Sequence, residues 1–125
     1  MSITTGQQAL IKRIVTMTDP PNIVLQNGPG KSLPRYVVQV SGGSQRTATM
    51  AGQTDAVPEI TVRVETGTEY ATDNDVLVAA LVARFRPGTR FDGVTILDAP
   101  LPRPPLPVTD GVYTVPVIIR GHFTF

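Results

Sequence analysis

The sequence predicts an α+β fold: an antiparallel or mixed β-sheet of about five strands with two α-helices packed on one face, in the order helix-strand-strand-strand-helix-strand-strand. Three observations carry this. Apolar residues recur at helical spacing between Ile3 and Met17. Alternation of apolar and polar side chains follows in RYVVQV and EITVRVE, residues 35–40 and 59–65. After Gly67 the period becomes helical, then reverts to alternation in the closing stretch VYTVPVIIRGHFTF. Side chains share a face every second residue in a strand and every third or fourth in a helix, so a change of period marks a change of element. The 125 residues amount to one domain, 1–125, able to bury roughly two-thirds of its unfolded surface around one core.

The first helix places Ile3, Leu10, Ile11, Ile14 and Met17 on one stripe with Lys12 and Arg13 on the other side, and Asp19-Pro20-Pro21 ends it. NIVLQNGPGKSLP reads as a loop with a short strand, because Asn27-Gly28-Pro29-Gly30 is turn chemistry. Tyr36, Val38 and Val40 then line one face of a strand. Ser41-Gly42-Gly43-Ser44 reads as a turn, Gln45 to Gln53 as a weaker, exposed hairpin arm, and Gln53 to Val57 as a connection. Ile60, Val62 and Val64 form the apolar face of the strongest strand. The second helix runs from about Glu69 to Phe85, burying Tyr70, Leu77, Val78, Leu81 and Phe85, with Arg84 to Gly88 at its end. Gly93 to Leu97 reads as a short strand, and DAPLPRPPLPVTDG as a long, semi-rigid loop whose prolines lack backbone donors. The last strand alternates from Tyr113 to Phe125, and Pro116 places part of it at an edge. One core should unite Ile60, Val62 and Val64 with Leu10, Ile14, Leu77, Leu81 and Phe85.

Eleven Lys plus Arg against ten Asp plus Glu leave a formal charge of +1, so nothing global draws the chain to nucleic acid or an anionic membrane. The absence of cysteine excludes a disulfide framework and thiolate metal sites and agrees with a reducing compartment. No apolar run is long enough to span a bilayer and the first residues are too polar for a signal-peptide core, so a soluble protein made in the cytoplasm, without a membrane partner, is expected.

The acidic stretch TVRVETGTEYATDNDVL, with Glu59 just before it, is the first place to look for chemistry. A calcium loop starting at Asp73 needs Gly at its sixth position and a distal Glu; the sixth residue is Val78 and no Glu follows. Strand-to-helix punctuation accounts for the same residues. Glu65 ends a strand, Gly67 turns the chain, Thr68 or Thr72 caps the helix, and Glu69, Asp73 and Asp75 face the positive end of its dipole. His122, the one histidine, has no thiolate or second imidazole to join it at a metal, and no serine–acid arrangement is evident. GPGKS ends like a phosphate loop, but the first glycine of that motif would fall on Leu25. No catalytic, cofactor-binding or metal residue is therefore assigned, no cofactor is expected, and the chain reads as a non-enzyme. The basic concentration is Arg84, Arg86 and Arg90 with Arg103 further on: candidate contacts to phosphate or to a partner's carboxylates, although a helix C-terminus attracts arginine through its dipole alone.

The order of elements resembles the small tail terminator (tail completion) proteins of long-tailed bacteriophages and phage-derived gene transfer agents. The similar features are the N-terminal helix, the PRYVVQV strand at 34–40, and a hairpin ending ITVRV at 60–64. Next come a Gly-Thr junction into a helix ending Val82-Ala83-Arg84-Phe85, a short strand near Ile96, and a terminal strand of Val115-Pro116-Val117-Ile118-Ile119 type. They cover most of the chain, while the segment 98–107 and Gly28-Pro29-Gly30 have no counterpart. The resemblance implies a structural virion protein, assembled in the bacterial host cytoplasm and residing in the tail of a virion or phage-like particle. Such a protein is a homo-oligomer, a hexameric ring that caps the tail-tube protein, stops its polymerisation and gives the neck or head-completion protein a docking surface at the head–tail join, with DNA passing transiently through the lumen. A ring needs unlike patches that meet between neighbours. Leu101, Arg103 and Leu106 of the Pro-rich loop are candidates for that subunit or tube contact, since a solvated linker has little use for two leucines. The alternatives are another ring-forming neck or tail-tube protein, such as a head-completion stopper or tube subunit, and a small enzyme or ligand-binding module.

Overall fold

The computed structural model describes residues 3–18, 20–25, 28–47, 54–67 and 71–124. The expectations for Asp19, Asn27, the 48–53 arm, Thr68, Glu69, Tyr70, Phe125 and the side chain of Thr72 lie outside what is described. The fold is α+β, with two helices, α1 (Ile3–Val15) and α2 (Ala71–Arg84), and a mixed six-stranded sheet. The sheet comprises β1 (Asn22–Val24), β2 (Arg35–Thr47), β3 (Thr54–Gly67), β6 (Leu101–Pro102), β7 (Val112–Arg120) and β8 (Phe123–Thr124). Its order is β1-β2-β3-β7-β6, with β8 pairing the beginning of β3. β1 runs parallel to β2, and the other pairings are antiparallel.

The alternation read from the sequence sets the register. Ile60, Val62 and Val64 of β3 are buried, and their partners Val38, Tyr36, Val117, Val115 and Ile119 are buried on the same face. α1 lays Leu10 and Ile14 on that face, and α2 lays Leu81 there with Phe85 just beyond its end, while Leu77 and Val78 pack at the margin. The expected core residues are thus buried together, except Leu77, which lies at the margin. Val40 shares the face but remains 36% exposed. On the opposite face Thr61, Arg63, Pro116 and Ile118 stay half-buried, because α1 and α2 both pack on the other side.

Three segments are built differently from the expectation. Ser41-Gly42-Gly43-Ser44 is not a turn but the middle of β2, which continues to Thr47 opposite a β3 that begins at Thr54. The register slips between Val40 and Gly42, leaving Ser41 as an extra residue, and Gly42 and Gly43 take φ of 104° and 147°. Such a bulge bends a strand without ending it, and side chains rarely adopt these angles. The Gln53 to Val57 connection is accordingly strand from Thr54 onward. In turn, Gly93 to Leu97 contributes only Val94–Thr95 (β5), paired with Arg90–Phe91 (β4) across Asp92 and Gly93, both at positive φ. That is the geometry of a tight hairpin turn.

The closing strand divides at Gly121 and His122, where a Cβ on Gly121 would collide with Val94. His122 instead exchanges backbone hydrogen bonds with Thr95, at 2.8 Å each way. This ties the β4–β5 hairpin to the sheet.

Candidate functional site

The Pro-rich segment is not a free loop. Leu101 and Pro102 pair with Ile118 and Val117, the Arg103 amide donates to the Pro116 carbonyl at 2.8 Å, and the Leu106 amide donates to the Thr114 carbonyl at 3.0 Å. Thr109 and Val112 close the arm across Asp110 and Gly111, again both at positive φ. Residues 101–106 therefore form a strap along the outer edge of β7. Pro116 turns its backbone acceptor toward the strap, so its missing N–H removes no bond to β3; the expected edge position is not observed, because β7 lies between β3 and β6 and the strap bonds to Pro116 on its outer side. The strap's prolines present few donors outward, which blunts an otherwise open sheet edge. Its side chains remain exposed, Leu101 by 47% and Leu106 by 43%, with Arg103 between them in the chain. The three candidate contact residues thus share one surface arm. The signal for the arm was Asp110-Gly111 before an alternating run.

The basic residues divide. Arg84 and Arg13 clamp the C-termini of α2 and α1 to each other: Arg13 Nε donates to the Arg84 carbonyl at 3.0 Å, and Arg84 Nε to the Arg13 carbonyl at 3.2 Å. Arg84 also reaches the Thr16 hydroxyl at 3.3 Å, while the Arg13 guanidinium lies 4.8 Å from the centre of the Phe91 ring. Burial, together with the neighbouring charge of Arg84, lowers the Arg13 pKa. Arg84 thus serves the dipole role that sequence reasoning set beside a partner contact, and Arg13, expected on the polar side, is half-buried. Arg86 and Arg90 are exposed beyond α2, on a different element from Arg103.

The acidic stretch also separates. Glu65 is buried within β3, 2.6 Å from Arg35 Nε and 3.8 Å from Arg63 Nε. Glu59 pairs with Arg120 at 2.8 Å and accepts from Ser41 Oγ at 3.2 Å. Both lie on the uncovered face of the sheet, whereas Asp73 and Asp75 are exposed on α2. Among the described residues no group of three or more His, Asp or Glu is placed to hold a metal ion. His122 is half-buried, and its Nε2 stands 4.0 Å from the nearer Asp98 oxygen, beyond hydrogen-bond reach.

Sequence reasoning missed Asn74, which is fully buried between Asp73 and Asp75. Its Nδ2 donates to the Val64 carbonyl at 2.8 Å, with Thr66 Oγ1 and the Tyr113 carbonyl at 3.2 and 3.3 Å. This pins the start of α2 over the seam between β3 and β7. On the other side of α2, the buried Tyr36 hydroxyl donates to the Leu77 carbonyl at 2.7 Å, and burial pushes its pKa up. Beside that bond lies a groove of about 640 Å³, walled by Leu33, Pro34, Val76 and Leu77, with Thr66 and Gly67 at one end and Asp73 at the rim. That volume lies within the roughly 300–1,000 Å³ of sites that enclose a ligand. The surface thus offers an apolar groove with one carboxylate and an apolar arm with one guanidinium, groups suited to contact.

In comparisons with known proteins, no protein-family model matches the chain and no curated relative is significantly similar to it. Among the described residues, no helix is long and apolar enough to cross a membrane.

Proposed function

We propose that this protein is a structural component of a phage tail or a phage-like particle: a tail terminator whose subunits form a ring, cap the tail tube, stop its polymerisation and present the neck with a docking surface, DNA passing through the lumen. The observation that carries this reading is the order of elements. Helix, β2–β3 hairpin, second helix, the short strand β5 close to Ile96 and the terminal strand β7 follow one another in the order on which the resemblance rests. The exposed strap supports it further, since a ring is closed by unlike patches meeting between neighbours. The test is to measure the mass of the assembled full-length protein and then add it to polymerising tube protein from the same particle. A discrete hexameric mass and tubes of arrested length are expected. Unlimited tubes formed by the protein alone would make it a tube subunit, and a ring that joins the neck but leaves tube growth unchanged would make it a stopper.

A further inference from the structure

We propose that the strap of one copy docks in the α2 groove of a second copy, Leu101 and Leu106 entering between Leu33, Pro34, Val76 and Leu77 while Arg103 meets Asp73. The contact rests on the reading of the chain as a ring former and names the two surfaces that close the ring.

Charge selects the occupant. On the uncovered sheet face Arg35 pairs with Glu65 and Arg120 with Glu59, while Arg63 shares Glu65 at 3.8 Å without a hydrogen bond from its Nε. Among the described residues, neither Arg103 nor Asp73 enters an ion pair, and both are exposed. Each sits beside apolar side chains of similar exposure: Leu101 and Leu106 on the strap, Val76 at 62% on the groove. A cationic apolar arm and an anionic apolar groove are therefore complementary, and Asp75 on the same helix adds to the field that draws the arginine in.

Placement makes the occupant another molecule. The strap runs outside β7 at one edge of the sheet, its backbone tied to Pro116 and Thr114. The groove lies between the residues that lead into β2, the end of β3 and α2, on the covered face, whereas Leu106 of the strap borders the uncovered face with Arg63 and Glu65. A strap held to its own β7 does not cross the sheet to its own groove. Two unlike surfaces on opposite flanks make a head-to-tail contact, which repeats around a ring. Extended proline-rich segments dock in apolar grooves with little loss of entropy, because their backbone is already restricted. The backbone bonds to β7 restrict this one further.

The test uses full-length protein with Arg103→Asp, Asp73→Arg and the two combined, read by sedimentation velocity over a dilution series, with circular dichroism as the check on folding. Each single variant should fold and need at least tenfold more protein to assemble, whereas the combined variant, with the charges exchanged, should assemble near the wild-type concentration. Single variants that assemble like wild type overturn the contact and leave the ring reading standing. Single variants that assemble normally but fail to arrest tubes give the groove to the tube protein and overturn the self-contact. Loss in the singles without recovery in the combination overturns the pairing of Arg103 with Asp73. Wild-type protein that stays monomeric throughout overturns the ring reading itself, and this contact with it.

Discussion

Asn74 and Tyr36 both hold α2 to the sheet, Asn74 by donating from the helix to strand carbonyls and Tyr36 by donating from β2 to the carbonyl of Leu77 within the helix; each bond joins residues remote in the chain, which is why neither role could be read from spacing. Asn74 lies among helical and acidic neighbours that suggest a surface position, yet it is fully buried with donors aimed at Val64 and Tyr113. Asn74→Ala would remove the bonds that tie α2 to β3 and β7 at a fully buried position and should cost about 1–3 kcal/mol, seen as a lower midpoint in chemical denaturation with an unchanged slope. Tyr36 makes a pH prediction. Its folded pKa is raised by burial, so the folded state keeps the phenolic proton after the unfolded chain has lost it. The associated stability is whole below the unfolded value of about 10 and falls as pH rises beyond it. Denaturation midpoints measured from pH 9 to 11 should therefore decline above roughly pH 10, and Tyr36→Phe, though less stable at pH 7 for want of its bond to Leu77, should decline less steeply.

At the level of elements, Gly42 and Gly43 decide whether β2 stops or bends. Both hold positive φ, but a Cβ on Gly42 would meet open space, while one on Gly43 would lie 2.5 Å from the Val57 carbonyl oxygen across the hairpin. Gly42→Ala should cost about 1–3 kcal/mol in backbone strain, and Gly43→Ala measurably more in the same thermal or chemical melts, since a paired backbone has no room to move. Equal costs would mean that the bulge relaxes. The elements legible in the sequence were those whose side chains report their burial: the α1 stripe of Leu10 and Ile14, the Ile60-Val62-Val64 alternation, the Leu81 and Phe85 face of α2. Less legible were the places where backbone geometry alone decides. Ser-Gly-Gly-Ser suits a turn and a bulge equally, and the partner's register chooses between them. Asp92-Gly93 and Asp110-Gly111 are hairpin turns that carried a usable signal, hidden in the first case by very short arms and in the second by prolines that made one arm look like a linker. Within the acidic stretch, the pairing of Glu65 with Arg35 could not be read from spacing, because it depends on strands brought together only by folding.

Across the whole molecule the strap does two things that mutation can separate. Its backbone covers the outer edge of β7, and its side chains face outward; the first protects the fold from edge-to-edge pairing, the second is available to a partner. Leu101→Ala combined with Leu106→Ala leaves the bonds from Arg103 to Pro116 and from Leu106 to Thr114 in place, because these are made by main-chain groups. The sheet should keep its edge cover and the domain its circular dichroism. What is lost is apolar area at the candidate contact, and since truncating a side chain central to an interface costs about 2 kcal/mol or more, the proposed ring contact would show in sizing as a shift of the double variant to folded monomers relative to the parent. Replacing 101–107 with a short glycine–serine linker removes the cover as well, and an unpaired β7 beside Ile118 should then aggregate instead of remaining monomeric. Light scattering during storage distinguishes the two variants. Rings from the double-alanine protein would make the strap an edge guard alone, whereas a linker variant that stays monodisperse would mean that β7 does not need guarding and that the leucines are what the strap is kept for.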